Sequence, residues 1–372
     1  MNNILIYNKK WTTSKTADDV SQKLFTARMT AYQQFIERHN GKVLEVQNVK
    51  WYASKIYRLF RPYTLLSELK SLNPNIIYLQ YPTYPFFWSL DRTTDLRRSI
   101  MFAKMLTKYC KKEDIKIILD YRDMLLWEQT TYSKDLFYQF EQLVFNSPDE
   151  IWTSSPGYGI DAITRYGIDK NKLRTVLNGS FPSNVSHKKI KDKSKISFVY
   201  TGDLSDGPRN IRKVINILCD VDNPKVSFTL VGPNSEWLKK INLPKHIEVR
   251  PEMPRSEIMN ILSQSDIGML PLPRNPYFDI NFPTKLGEYV QCGLSILATD
   301  CPVIKDFILE REIGFAVTID KWVEQINYIA NNPDIIENMK NNSIKHSESM
   351  LWDNIYDNAY FEMLKKLNLK ID

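Results

Sequence analysis

Short apolar runs alternate along this chain with stretches whose apolar residues recur at helical spacing. In the first half, residues 4–7, 42–47, 76–80, 116–120, 150–154 and 172–177 read as strands. The strongest of them, 76–80 and 116–120, are nearly continuous apolar runs, the pattern of strands buried on both faces of a parallel sheet. Between the strands, residues 21–38 place Leu24, Ala27, Ala31 and Phe35 on one helical face. Residues 98–111, 137–145 and 158–166 follow the same period. Strands that take turns with helices in this way predict a parallel sheet covered on both sides.

Residues 186–195, Ser-His-Lys-Lys-Ile-Lys-Asp-Lys-Ser-Lys, interrupt the pattern with an almost wholly polar, basic stretch that reads as a linker. Alternation then resumes, with strands at 196–201, 226–231, 247–250, 267–270 and 295–298 and helices at 210–219, 255–265 and 283–292. Three helical stretches close the chain, the last over 353–367. The expected fold class is α/β, with two doubly wound, Rossmann-like domains facing across a cleft. The first domain spans 1–185 and the second 196–348, and a terminal helix over 349–372 packs back on the first. In open sheets of this kind, ligands bind beyond the carboxyl ends of the strands. The strand ends, and the helix starts that follow them, are therefore the places to look for chemistry.

Composition narrows the field. The chain has 372 residues, of which 43% are hydrophobic, enough apolar surface to exclude a disordered protein. Four cysteines with no Cys-x-x-Cys pair, together with four histidines, argue against a structural zinc site or a disulfide framework, so no metal is expected. No stretch approaches the roughly 20 apolar residues of a membrane span, and the short apolar start falls short of a secretory signal. A cytoplasmic protein is expected. The net charge of +7 is unevenly spread: residues 1–110 hold 17 Lys and Arg against 7 Asp and Glu, whereas residues 191–372 hold 22 against 25. A basic surplus confined to the first domain suits an anionic partner.

Candidate chemistry concentrates in residues 282–300, Phe-Pro-Thr-Lys-Leu-Gly-Glu-Tyr-Val-Gln-Cys-Gly-Leu-Ser-Ile-Leu-Ala-Thr-Asp. Pro283 suits the first helical position, where its missing N–H is no loss. The N–H groups of Thr284 and Lys285 then lack intrahelical partners and offer an anion site, to which Lys285 adds a full charge. Glu288 lies one turn on, on the same face. A carboxylate there repels phosphate but accepts two hydroxyl hydrogen bonds, as vicinal ribose hydroxyls would supply.

This segment resembles GT-B glycosyltransferases, specifically glycosyltransferase family 4, whose second domain carries a Glu-x7-Glu motif ahead of a small-residue helix end and an apolar strand. Glu288 matches the second acid, which holds the nucleotide ribose. The first acid, on the donor sugar, would fall at Ile280, with Asp279 next to it; this is a departure. Residues 198–204, Phe-Val-Tyr-Thr-Gly-Asp-Leu, resemble the first strand and turn of the nucleotide domain, where Gly202 lets a ligand approach the backbone. The basic residue usual after that glycine is Asp203 here, a second departure, and the next basic position falls at Arg209. In the first half, Ile-Ile-Leu-Asp-Tyr-Arg-Asp over 117–123 resembles the strand end that faces the cleft, with Arg122 near the site of a sugar-contacting histidine. Asn178-Gly179 matches a further landmark. The first loop, residues 8–16, lacks the usual glycines.

The resemblance implies a retaining, metal-independent transfer of a sugar from a nucleotide diphosphate-sugar, UDP- ahead of GDP-, to a glycan or lipid-linked glycan. The setting is surface polysaccharide or glycoconjugate assembly. It assigns catalysis to Arg209, Lys285 and Arg122, and donor binding to Glu288, Thr284, Pro283, Gly202, Asp203, Asn281 and Phe282. No cofactor is expected beyond the donor substrate, and no nucleic-acid partner, since no recognition motif accompanies the charge. Residues 51–63 interleave aromatics with Lys55, Arg58 and Arg61; they suit an anionic membrane surface, at the inner face of the membrane, or equally a core helix with a basic outer face. The rival reading is a GT-B subunit that binds donor or a partner glycosyltransferase with weakened catalysis. A nicotinamide dehydrogenase is disfavoured because no Gly-x-Gly-x-x-Gly follows a strand.

Overall fold

A computed structural model describes residues 3–7, 19–45, 55–82, 93–124, 134–182, 195–207 and 209–369. The chain divides into two compact units, residues 1–177 with 356–372, and residues 178–355. The expected linker lies, apart from Lys195, outside the described residues.

The first unit is a six-stranded parallel sheet in the order β2-β1-β3-β4-β5-β6. Its strands are β1 (Asn3–Tyr7), β2 (Lys42–Glu45), β3 (Ile76–Tyr81), β4 (Lys116–Tyr121), β5 (Glu150–Thr153) and β6 (Leu173–Thr175). Helices α1 (Asp19–Arg38), α2 (Lys55–Leu72), α3 (Thr93–Lys112), α4 (Lys134–Asn146) and α5 (Pro156–Tyr166) connect them. All six residues of β3 are buried, which explains its unbroken apolar run. Helix α5 shows how local sequence sets an element: Ser155 caps it by accepting from Tyr158 N, Pro156 opens it, and Gly167 ends it at φ +67°.

An aromatic core joins the last helix, α13 (Trp352–Lys366), to this unit. Tyr356 packs within 5.2–5.5 Å, ring to ring, of Tyr32 and Phe35, and Tyr360 lies 5.3 Å from Phe35. Glu150 is fully buried, and it survives there because Arg174, Lys366 and Trp152 Nε1 all donate to it. Its donors outweigh the burial and hold its carboxyl below the ordinary range.

The second unit is also parallel, in the order β12-β11-β10-β7-β8-β9. The strands are β7 (Ile196–Thr201), β8 (Val226–Val231), β9 (Ile247–Arg250), β10 (Ile267–Leu270), β11 (Ser295–Ala298) and β12 (Gly314–Ala316). The helices are α6 (Ile211–Cys219), α7 (Arg255–Gln264), α8 (Pro276–Ile280), α9 (Thr284–Gln291), α10 (Pro302–Glu310), α11 (Trp322–Asn331) and α12 (Pro333–His346). Helix α6 buries Ile211, Val214, Ile215 and Leu218, four positions on one face. At the amino edge of the sheet, Asp266 accepts from Ser197 N, Ser197 Oγ and Lys340 Nζ, a structural ion pair.

The strand order reverses between β7 and β10, and this is the switch point where doubly wound sheets bind ligands. These two strands pair only at Ile267 with Phe198 and Gly268 with Val199. Beyond that pair, the Tyr289 hydroxyl occupies the split. It accepts from Thr201 N at 3.1 Å and donates to Met269 O at 3.4 Å. Gly268 makes room for the ring, because a Cβ there would stand 2.3 Å from Tyr289 Cδ2.

The structure extends the sequence reading in four places. Helix α2 runs through Pro62, and Arg61 is buried and paired with Glu68 at 2.8 Å, so its guanidinium is not part of a solvated basic face. Most of the remaining side chains of 51–63 lie outside those described. Short elements α8 and β12 and the helix α10 were not expected from periodicity.

The packing around Tyr289 yields a stability test. Tyr289→Phe leaves the Thr201 N–H without its acceptor and is expected to cost about 1–3 kcal/mol in denaturant unfolding. Gly268→Ala, by overpacking, is expected to cost a similar 1–3 kcal/mol. Unchanged midpoints in both variants would refute this role for the tyrosine.

Candidate functional site

Helix α9 begins at Thr284. Pro283 is its cap residue, extended at φ −71° and ψ 139°, one position ahead of the first-turn place expected, and no side chain caps the helix start. Leu286 N bonds back to Pro283 O, so the N–H groups of Thr284 and Lys285 stand ahead of the intrahelical ladder. Asn178 Nδ2 donates to Phe282 O at 2.5 Å and fixes the approach to the helix. The Phe282 ring is fully buried and meets Phe307 edge-on at 4.9 Å. Phe282 is thus a core side chain, and a ligand can meet only its backbone. Asn281 is half-buried and closes α8, its N–H bonded to Phe278 O.

The Lys285 side chain is buried at 6% exposure. Its Nζ sits 4.2 Å above the ring of Tyr200. The Tyr200 hydroxyl donates to Asp203 O at 3.1 Å and is hydrogen-bonded by Arg209. Gly202 completes the convergence at φ +134°. A Cβ there would lie 2.1 Å from Lys285 Nζ and 3.5 Å from Arg209 Nη1, so only glycine fits beneath the two cations. Gly232 packs in turn on Gly202 O, 1.8 Å from where its own Cβ would be. Burial pushes the Lys285 ammonium well below its usual range, and Arg209 pushes it further; Glu288 and Asp203 oppose this.

Glu288 stands one turn along the same helix. It pairs with Arg255, whose Nε lies at 3.7 Å, and Arg255 also donates to Phe181 O. Burial raises the Glu288 carboxyl above its usual range against the pull of Arg255 and Lys285. Asp203 is committed to the turn: it accepts from Ser205 N, Ser205 Oγ and Asn234 Nδ2, and these bonds keep its carboxyl below the usual range against burial. It shapes the loop under the cations rather than offering free oxygens to a ligand.

Asn178, Gly179 and Ser180 lie along α9. Gly287 approaches Gly179 so closely that a Cβ would fall 3.2 Å from its carbonyl carbon, and Ser180 Oγ donates to Gln291 Oε1 at 3.0 Å. Asp279 is bound by Arg274, with Nε to Oδ1 at 2.6 Å, so it does not stand in for an acid at Ile280.

Arg122 belongs to the first unit. It is buried at the carboxyl end of β4, near Asp120, which pairs with Arg28 at 2.7 Å. Burial brings Arg122 down to about 10, Asp120 opposing and Arg28 reinforcing the shift. The second unit therefore brings together Gly202, Arg209, Lys285, Thr284 and Glu288, and within the first unit Arg122 lies with Asp120 and Arg28. Sequence reasoning missed Tyr200, Arg255, Asn234 and Tyr289. Among the described residues, no group of three or more His, Cys, Asp and Glu side chains could hold a metal ion.

Residues 183–346, a span that lies within the second unit, match the family model described as Glycosyl transferases group 1. No curated protein matches the chain. Similar solved structures include the lipopolysaccharide outer core galactosyltransferase WaaB, at 14% identity and TM-score 0.62, covering 98% of this chain and 100% of that one. Anabaena HepE in complex with UDP gives 12% and 0.63, and the sucrose-phosphate synthase of Thermosynechococcus elongatus gives 11% and 0.64, each covering 98% and 100%. At these identities the likeness establishes the fold: two Rossmann-like domains of the GT-B type.

The depressed ammonium has a consequence for binding. An anion beside Lys285 raises its pKa, so binding takes up a proton at pH values between the lowered value and the raised one, and affinity falls as pH rises through that window. At about pH 8 a nucleoside diphosphate is fully ionised. Calorimetry with UDP at a series of pH values from about 8 upward, in buffers of different ionisation enthalpy, is then expected to show net proton uptake within that window, abolished by Lys285→Met. Net proton release by the wild-type protein would refute the assignment.

Proposed function

We propose that this protein is a retaining glycosyltransferase that moves a hexosyl group from a UDP-sugar to a glycan or lipid-linked glycan acceptor, without a metal ion. The observation that carries the reading is the convergence of Lys285 and Arg209 over Gly202, beside the open start of α9. Two cations and two free N–H groups there face the position a diphosphate would take at a switch point. Glu288, one helical turn away, suits two vicinal hydroxyls. The description of HepE bound to UDP supports uridine over guanosine.

In transfer, the bond between the anomeric carbon and the phosphate oxygen breaks while the acceptor oxygen bonds to that carbon on the same face. The acceptor proton passes to the departing phosphate oxygen. Lys285, Arg209 and the α9 amides hold the charge that develops there. Charge-assisted bonds of this kind contribute about 1.5–3 kcal/mol each. They supply the positive field that a divalent cation would otherwise provide. The basic surplus of residues 1–110 suits an acceptor or membrane surface carrying phosphate, and the surface polysaccharide setting rests on that same charge. Among the described residues, no helix is long and apolar enough to cross a membrane.

A second reading, a donor-binding subunit with weakened catalysis, draws on Ile280 at the place of an acid and on the commitment of Asp279 to Arg274. Donor hydrolysis separates the two readings.

Arg209→Ala and Glu288→Ala are each expected to lower transfer tenfold or more, about 1.4 kcal/mol or above, with melting temperatures held. Activity is expected to persist in EDTA, and proton NMR of the product to show the donor's anomeric configuration. Wild-type rates in both variants, or inversion, would overturn the proposal.

A further inference from the structure

Arg255 stands where a helix start discourages a cation. It is the first residue of α7, directly after Pro254, and no side chain caps that helix. The amino end of a helix carries a partial positive charge, which opposes an arginine and favours an acid. A residue that breaks a local preference in this way finds its compensation outside its own helix.

Two groups outside α7 supply it. Arg255 Nη2 donates to Phe181 O at 3.2 Å, and the guanidinium lies 5.8 Å from the centre of the Phe181 ring. Arg255 Nε lies 3.7 Å from Glu288 Oε1 on α9. The planar guanidinium is thus anchored to a backbone oxygen through one nitrogen and meets the carboxylate through another. All three residues belong to the second unit. The Glu288 side chain is 22% exposed, so it is open to a ligand while Arg255 is against it. An ionised carboxylate has about four lone-pair sites, which leaves room for two hydroxyl donors beside the arginine.

The charged and titratable groups near Glu288 are Lys285 and Tyr289 on its own helix, Cys292 at the end of that helix, and Arg255 from α7. Burial raises the Glu288 carboxyl, and Arg255, ahead of Lys285, pulls it down. Without the arginine, the same burial makes the acid easier to protonate, and a protonated carboxyl has fewer sites for hydroxyl donors. We infer that Arg255 is a positioning residue, which holds the Glu288 carboxylate in place to accept two vicinal hydroxyls of a ribose. The inference rests on the reading of Glu288 as the ribose acid and adds the group through which that acid is held.

The test is titration calorimetry on the full chain with UDP and with 2′,3′-dideoxy-UDP, which lacks both hydroxyls. The ratio of the two affinities reports the hydroxyl contacts, because the base, the diphosphate and Lys285 serve both ligands alike. The wild-type protein is expected to favour UDP about tenfold or more. Arg255→Met is expected to cut that preference to about threefold or less by weakening UDP, with dideoxy-UDP held within about twofold of wild type. Arg255→Lys, which keeps the charge, restores part of the preference. Glu288→Gln loses as much as Arg255→Met, and the double variant loses no more than either. From about pH 9 to about pH 5 the wild-type preference falls as Glu288 takes up a proton; in Arg255→Met the fall comes at higher pH, and in Glu288→Gln the ratio is flat. Arg255 is 41% exposed, and melting curves confirm that its variants are folded. A wild-type ratio and pH profile in Arg255→Met overturns the inference and leaves the ribose role of Glu288 standing. Equal weakening of both nucleotides overturns it as well, since a merely structural role acts on both. A wild-type protein that binds the two nucleotides equally removes the ribose role of Glu288 and the inference with it. One that binds neither removes the donor reading altogether, and the inference falls too.

Discussion

The second unit turns on the phenol of Tyr289, which stands in the split between β7 and β10. Two strands that part at a switch point leave backbone groups facing each other with nothing between them. The hydroxyl answers both, accepting from Thr201 and donating to Met269. With its ring lodged against Gly268, α9 is pinned at a fixed height above the strand ends. Every turn of that helix then has an assigned direction. Phe282 enters the core before it, Lys285 passes over the Gly202 turn, Glu288 faces Arg255, and Gln291 meets Ser180. The candidate site is one side of a helix whose other sides are all occupied.

Most of the strands were legible in the sequence because buried parallel strands need apolar residues on both faces. Strands 196–201, 226–231, 247–250, 267–270 and 295–298 match the structure to the residue. Helix α2 was harder to read, since Pro62 interrupts its pattern and Arg61 is turned inward onto Glu68. Short elements such as α8 and β12 carry too few residues for a period to show.

The site was legible where one helix supplies its residues. Lys285 and Glu288 are three apart, and that spacing alone puts them on one face. It was illegible where distant segments meet. Tyr200 reads as an ordinary strand aromatic, yet its ring lies beneath Lys285 and its hydroxyl joins Arg209 to the Asp203 carbonyl. Arg255 reads as a solvated first-turn arginine, yet it faces Glu288. Asp203 reads as a departure from a basic position; in the structure its oxygens are taken up by Ser205 and Asn234, which sets the turn that carries Gly202. Two basic side chains close together, with no carboxylate bonded to Lys285 among the described residues, leave the site electrostatically incomplete until an anion arrives.

The composition of the first unit bears on how the protein is made. Its aromatic core of Tyr32, Phe35, Tyr78 and Trp152 is finished by Tyr356 and Tyr360, which are translated after the whole of residues 178–355. On the ribosome, then, the amino-terminal half emerges first but must wait for its last wall, while the contiguous second half has all its parts at hand. The usual order of vectorial folding, first made and first folded, is reversed here, and the early half would need shelter from nascent-chain chaperones in the interval.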